Sequence, residues 1–70
     1  MIDLHIPSIE AISAEGAVVI IKWDGERTSK RCTVLITHHR TNYARRQDTD
    51  DLSTALQLAL TDYRTHHPLT

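Results

Sequence analysis

The chain has 70 residues, enough for one domain (residues 1–70) but not for a second hydrophobic core. Eight Lys and Arg residues against nine Asp and Glu residues give a net charge of −1, which disfavours a nonspecific polyanion binder. The single cysteine, Cys32, excludes an internal disulfide and a Cys-rich zinc site, and it fits a reducing cytoplasm. We therefore expect a soluble cytoplasmic domain with neither a signal peptide nor a membrane-spanning segment.

The N-terminal segment contains two different patterns. Ile2, Leu4 and Ile6 alternate with polar residues, which predicts a short strand that ends at the following proline. Residues 8–14 fit either one turn of helix or the continuation of an edge strand, and both interpretations stay open. Gly16 then indicates a turn, because glycine adopts positive φ without steric cost.

The central segment predicts a β-hairpin. Residues 17–23 and 32–37 are rich in β-branched and apolar side chains, and Asp24-Gly25 is a favoured two-residue hairpin turn. Such a turn places Lys22 directly opposite Arg27. Because side chains alternate along a strand, one face of the hairpin is then apolar and comprises Val19, Ile21, Trp23, Cys32, Val34 and Ile36.

The C-terminal half predicts a further strand and one helix. Residues 38–41 read as a connection and residues 42–46 as a strand, after which Asp48 or Thr49 can cap a helix. The helix has one apolar stripe and ends before Pro68; the stripe comprises Leu52, Ala55, Leu56, Ala59, Leu60 and Tyr63. The sequence thus predicts an α+β fold, an antiparallel β-meander of three to four strands with one C-terminal α-helix packed on one face.

The histidines and the acidic residues do not form a metal-binding pattern. Adjacent histidines point in different directions, so we expect two solvated pairs, His38-His39 and His66-His67. The acidic group before the helix lacks the glycine and the terminal Glu of a calcium loop. We assign its three members to helix capping: Asp48, Asp50 and Asp51.

Catalytic motifs are also missing from the sequence. Cys32 falls on the apolar face of a strand, which predicts a buried thiol that is hard to ionise. No serine lies in a nucleophile-elbow motif, and the two glycines cannot build a phosphate-binding loop. We therefore expect a protein that is not an enzyme and that uses no cofactor and no metal.

Basic residues supply the candidate binding surface. Like charges that face each other across a hairpin are unfavourable, and such an arrangement is tolerated more readily where a negative partner docks. The structural alternative is a solvated hairpin whose cations are balanced by Asp24 and Glu26. The candidate partner-binding residues are Lys22, Arg27, Arg31, Arg40, Tyr43, Arg45 and Arg46.

Three kinds of macromolecular partner fit this pattern. A basic sheet beside an acidic helix start suits an acidic protein surface. Nucleic acid is the alternative, with Tyr43 stacking beside Arg45 and Arg46, but the net charge and the lack of a binding motif favour protein. A homodimer formed by strand addition at a sheet edge is the third. Leu58 lies off the helix stripe, either as a flanking core residue or as part of a dimer contact.

One segment resembles a known family. Residues 51–60, which follow the strands, resemble the strand-to-helix passage of the HicB antitoxins. The Gly- and Pro-rich segment that precedes the helix in that family is missing, so the resemblance implies no function. In size and shape the chain is similar to small sheet-plus-helix inhibitors encoded by bacteriophages, including anti-CRISPR proteins. We therefore expect an inhibitor or regulator, encoded by a phage or a mobile element, that binds a larger protein or complex.

Overall fold

The computed structural model describes residues 2–69 as three strands and three helical segments. Within these residues, no helix has the length and apolar character needed to cross a bilayer. The elements in chain order are a 3₁₀ helix (Ile2–His5), α1 (Ile6–Ala14), β1 (Ala17–Trp23), β2 (Cys32–His38), β3 (Tyr43–Thr49) and α2 (Leu52–His66). The strands form one antiparallel sheet in the order β1-β2-β3, and α2 packs against it, as the α+β prediction requires.

The hairpin between β1 and β2 has a longer loop than the sequence predicts. Lys22 lies opposite Thr33 instead of Arg27, and residues 24–31 form the loop. Asp24 does begin a turn, because its carbonyl accepts a hydrogen bond from the Arg27 N–H at 3.4 Å, but the chain does not re-enter the sheet there.

Apolar pairing explains the observed register. A two-residue turn would set β1 against the polar residues 26–31, whereas the longer loop pairs Ile21 with Val34 and Val19 with Ile36. The partner of Lys22 moves by six residues, from 27 to 33, which is an even number. An even shift keeps each side chain on its face, so the predicted face is confirmed although the predicted register is wrong.

The core lies between the sheet and the helices. The predicted α2 stripe contacts it, with Leu52 and Leu60 partly buried and the other members buried. The buried hydrophobic residues of the core are Ile12, Ala17, Val34, Ile36, Ala55, Leu56, Ala59 and Tyr63. Trp23 is the exception to the predicted apolar face, because it is the last residue of β1 and is 63% exposed. Cys32 is buried, as predicted.

The N-terminal segment is helical, so the predicted strand over residues 2–6 is wrong. The choice left open for residues 8–14 also falls to the helix α1. Pro7 occupies the first turn, where its missing N–H costs no hydrogen bond. Ile9 and Ile12, three residues apart, lie on one face of α1 and pack against the core. Both helices therefore cover the same side of the sheet.

The start of α2 also differs from its prediction. β3 remains paired with β2 as far as Thr49, so Asp48 and Thr49 belong to the strand and do not cap the helix. Asp51 is the cap, and its carboxylate accepts a hydrogen bond from the Thr54 N–H at 3.2 Å. The helix ends at His66, before Pro68, as predicted.

Candidate functional site

The side of the sheet that faces away from both helices forms a continuous surface, which we call the open sheet face. Its residues alternate along each strand with those that contact the helices. Three rows cross the sheet: Val18, Thr37 and Ala44; Ile20, Leu35 and Arg46; Lys22, Thr33 and Asp48. Because α1 and α2 both pack on the opposite side, neither helix covers these rows.

The middle of the open sheet face is apolar. Val18 is 53% exposed and Ile20 is 48% exposed, although both lie in a regular strand. Leu35 lies directly opposite Ile20, in the central strand of the sheet, and is half-buried. Side-chain alternation implies that these three residues lie opposite the predicted apolar face, but the candidate binding residues predicted from the sequence are the cations beside them. Their exposure follows from the position of both helices on the other side of the sheet, which the sequence does not reveal.

One end of the open sheet face is charged, and its charges converge on Asp48. The Asp48 carboxylate accepts a hydrogen bond from the buried Thr33 hydroxyl at 2.7 Å. Arg27, reaching out of the loop, lies 3.3 Å from Asp48, and Arg46 lies 3.4 Å from it. The hydrogen bond from Thr33, and then the two guanidinium charges, lower the pKa of Asp48. Lys22 has no ion-pair partner among the described residues, so cations are in excess at this end.

Arg31 and Arg40 lie outside this charged end. The Arg31 guanidinium donates to the carbonyl oxygens of Asp24 at 3.5 Å and Gly25 at 3.2 Å, which closes the loop. Arg40 is exposed in the turn between β2 and β3, at the opposite end of the sheet. The predicted cations are therefore not one patch, and the face brings together only Lys22, Arg27 and Arg46.

Tyr43 and Arg45 lie on the helix side of the sheet and do not reach the open sheet face. The Tyr43 hydroxyl donates a hydrogen bond to Asp62 of α2. Burial, and then this hydrogen bond, raise the pKa of Tyr43 above its ordinary value. Arg45 lies 3.9 Å from Asp62 and donates to the Gln47 side chain at 3.1 Å. Both residues therefore hold β3 against α2, and Tyr43 cannot stack on a base bound at the open face.

A cluster of histidine and tyrosine rings closes the far end of the core. His38 is only 7% exposed, and its Nε2–H donates to the Glu15 carbonyl oxygen at 3.0 Å. The His67 ring stacks on Tyr63 at 4.1 Å and on His38 at 5.3 Å between centroids. The prediction of solvated histidines is therefore wrong for His38, and His67 is half-buried in this cluster instead of solvated. The alternation Cys32-Val34-Ile36-His38 could have revealed it, because His38 continues the buried side of β2.

The other members of the two predicted histidine pairs lie at the surface, and capping explains only part of the acidic group. His39 and His66 are exposed, as predicted. Asp50 accepts a hydrogen bond from the Arg31 N–H at 3.3 Å, so helix capping does not explain the whole acidic group. Residues 2–69 contain no group of three His, Cys, Asp or Glu side chains placed to hold a metal ion.

Two surface recesses lie outside the open sheet face, and one of them adjoins Cys32. A recess of about 290 Å³ beside it is lined by Trp23, Asp24, Gly25, Arg31 and Asp50. Neither a histidine nor a lysine lines it that could act as a base toward the thiol. A recess of about 380 Å³ lies between α1 and α2, and its one charged residue, Arg64, is bound to Glu15 at 2.9 Å.

The chain matches no protein-family model, and comparisons with curated proteins and with solved structures find no similar protein.

Proposed function

We propose that this protein is a non-enzymatic binding module that inhibits or regulates a larger protein by covering a site on it with the open sheet face. The observation that carries the proposal is that this face has an apolar middle and a charged end and is covered by neither helix. Protein interfaces commonly combine an apolar centre with a polar rim.

The apolar middle can supply useful binding energy. Full burial of a Val or Ile side chain contributes about 1.5–3 kcal/mol. Val18 and Ile20 are each about half exposed, so covering them would contribute about 1 kcal/mol apiece before the costs of association. Leu35 would add a smaller amount because its neighbours already bury part of it. This energy favours a partner whose centre is also apolar.

The charged end indicates the rest of the partner's chemistry. The cations Lys22, Arg27 and Arg46 outnumber the carboxylates with which they pair, Asp24 and Asp48, so a carboxylate of the partner could pair with Lys22. Nucleic acid fits less well because Lys22 is the one cation of this end without an ion pair among the described residues, whereas nonspecific binding to a phosphate backbone uses several cations. Tyr43 is also turned to the other side of the sheet. We therefore assign the face to an apolar protein surface with acidic groups at one edge. The cytoplasm is the proposed compartment, because it keeps a lone thiol such as Cys32 reduced.

The test compares two leucine-to-lysine variants in binding. Leu35→Lys places a charge in the middle of the open sheet face, whereas Leu58→Lys places the same charge on an exposed position of α2, on the other side of the sheet. Each immobilised variant is exposed to extract from the source cell, and retained proteins are identified, purified and titrated against the chain by calorimetry. Thermal melts of both variants establish that they are folded.

We expect one purified protein to bind the wild type and the Leu58→Lys variant, and to lose at least tenfold in affinity for Leu35→Lys. Binding should weaken only modestly as salt rises, because the apolar middle dominates it and the ion pairs lie at one edge. Undiminished binding to a folded Leu35→Lys variant would rule out the open sheet face. Recovery of nucleic acid alone, with affinity falling steeply as salt rises, would replace the proposal with the nucleic-acid alternative.

A further inference from the structure

The outer backbone edge of β1 is a second unused surface, and it borders the open sheet face. The order β1-β2-β3 leaves one side of β1 and one side of β3 without a neighbouring strand. β1 is seven residues of sequence AVVIIKW, with a single charge and no proline. No hydrogen bond outside the sheet uses its backbone within the described residues. Such an edge is suited to pairing with another strand.

The two sheet edges differ in how strongly their side chains oppose pairing with another strand. β3 carries Arg45, Arg46 and Asp48 in its sequence, and charges on an edge strand discourage the approach of another strand. β1 has only Lys22 near its end, and its other side chains are apolar. Of the two edges, β1 is therefore the one that can accept a neighbour at low cost.

We propose that the partner of this edge is a second copy of the chain, which adds its own β1 antiparallel across a two-fold axis to give a six-stranded sheet. The strand is complementary to itself when Ile20 lies on the axis. Val19 then faces Ile21 of the other copy, and Lys22 faces Val18, so no like charges meet. An axis at Lys22 would place two lysines opposite each other, which is unfavourable.

Two further features fit the register centred on Ile20. This register pairs even-numbered residues with even-numbered residues and odd-numbered with odd-numbered. Residues that pair point to the same side of the sheet, so both copies keep their helices on the same side of the joined sheet. It also places Trp23, 63% exposed at one end of β1, opposite Ala17 at the other end. Alanine is small enough to leave room for the indole, so pairing would cover the largest exposed aromatic side chain among the described residues.

The length of the strand sets the expected affinity. One pair of seven-residue strands buries less than the roughly 1,200 Å² at which stable standard interfaces begin. We therefore expect a dissociation constant in the micromolar range, about 10–100 µM. The dimer does not depend on the proposed function, because it is formed by the backbone edge of β1, although the Val18 and Ile20 side chains of this strand also belong to the open sheet face.

Disulfide trapping tests both the dimer and its register. In a Cys32→Ala background, Ile20→Cys should form a disulfide-linked dimer under mild oxidation, because residues that face each other across an antiparallel pair have Cα atoms about 4.5–5.5 Å apart. Lys22→Cys is the matched control, since its two thiols would be separated by four residues, about 13 Å along the strand. Equal trapping of both variants, or none of Ile20→Cys, would overturn the register.

Sedimentation equilibrium on the unmodified chain tests association itself. We expect dimers to form between about 10 µM and 0.5 mM. Ile20→Lys should be monomeric throughout this range, because it places two lysines on the axis, whereas Leu35→Lys, on the same face one strand inward, should still dimerise. A wild-type chain that stays monomeric at about 0.5 mM would overturn the dimer whatever the outcome of the partner-binding test.

Discussion

A pair of leucines on α2 allows the contribution of the core to be measured against an internal control. Leu56 is 0% exposed and Leu58 is 49% exposed, although they are two residues apart on one helix. Replacing each with alanine changes helix propensity by the same small amount, so the difference between the two variants isolates burial.

The structure sets the size of that difference. Replacing a fully buried leucine with alanine typically costs about 2–5 kcal/mol, because apolar contact is lost and a cavity remains. We expect about 3 kcal/mol for Leu56→Ala and under about 1 kcal/mol for Leu58→Ala. A domain of 70 residues has a free energy of unfolding of only about 3.5–10 kcal/mol. Leu56→Ala should therefore lower Tm by about 12–24 °C.

Urea unfolding followed by circular dichroism at the helix band measures both variants. Trp23 fluorescence is less suitable, because the indole is mostly exposed in the folded chain. Measurements at low micromolar concentration keep dimerisation from adding to the apparent stability. If the free energies of unfolding of Leu56→Ala and Leu58→Ala differ by less than about 1 kcal/mol, the proposed placement of α2 on the sheet is refuted.

Substitutions of Gly16 and Glu15 test the connection between α1 and β1, and Gly25 in the hairpin loop is the matched control for Gly16. Gly16→Ala should lower the free energy of unfolding by about 1–3 kcal/mol, because Gly16 has φ of +106° and an added Cβ would lie 3.2 Å from the His38 ring. Gly25→Ala, where the nearest atom is 3.8 Å away, should cost less, and equal losses in thermal melts would contradict this. Hydrogen bonds from Arg64 lower the pKa of Glu15 from its ordinary 4.5, so this contact stabilises the fold above pH 4.5 and is lost as pH falls through the lowered value. Glu15→Gln should therefore show a smaller fall in Tm between pH 6 and pH 3 than the wild type, and parallel curves would exclude the contribution.

The candidate surface was predicted in part. Lys22 and Arg46 do lie on the open sheet face, because side-chain alternation within a strand is a local property. Nearness in sequence groups Tyr43 and Arg45 with these residues, but the side chains of both contact Asp62 of α2. Sequence distance alone could not reveal that contact, which joins residues 19 positions apart.

Short-range sequence patterns determined much of the secondary structure and the choice of the buried faces. The stripe of α2, its end before Pro68, and the shared face of Val34 and Ile36 all follow from periodicity and from residues a few positions apart.

Only the tertiary structure decided the strand register, the helical N-terminal segment and the exposure of the sheet. The register follows from matching apolar residues across strands, which overrides the local preference of Asp24-Gly25 for a tight turn. Helix α1 is fixed by burial of Ile9 and Ile12 against distant residues of the core. Because α1 then shares one side of the sheet with α2, the other side is left open, and no local pattern contains that information.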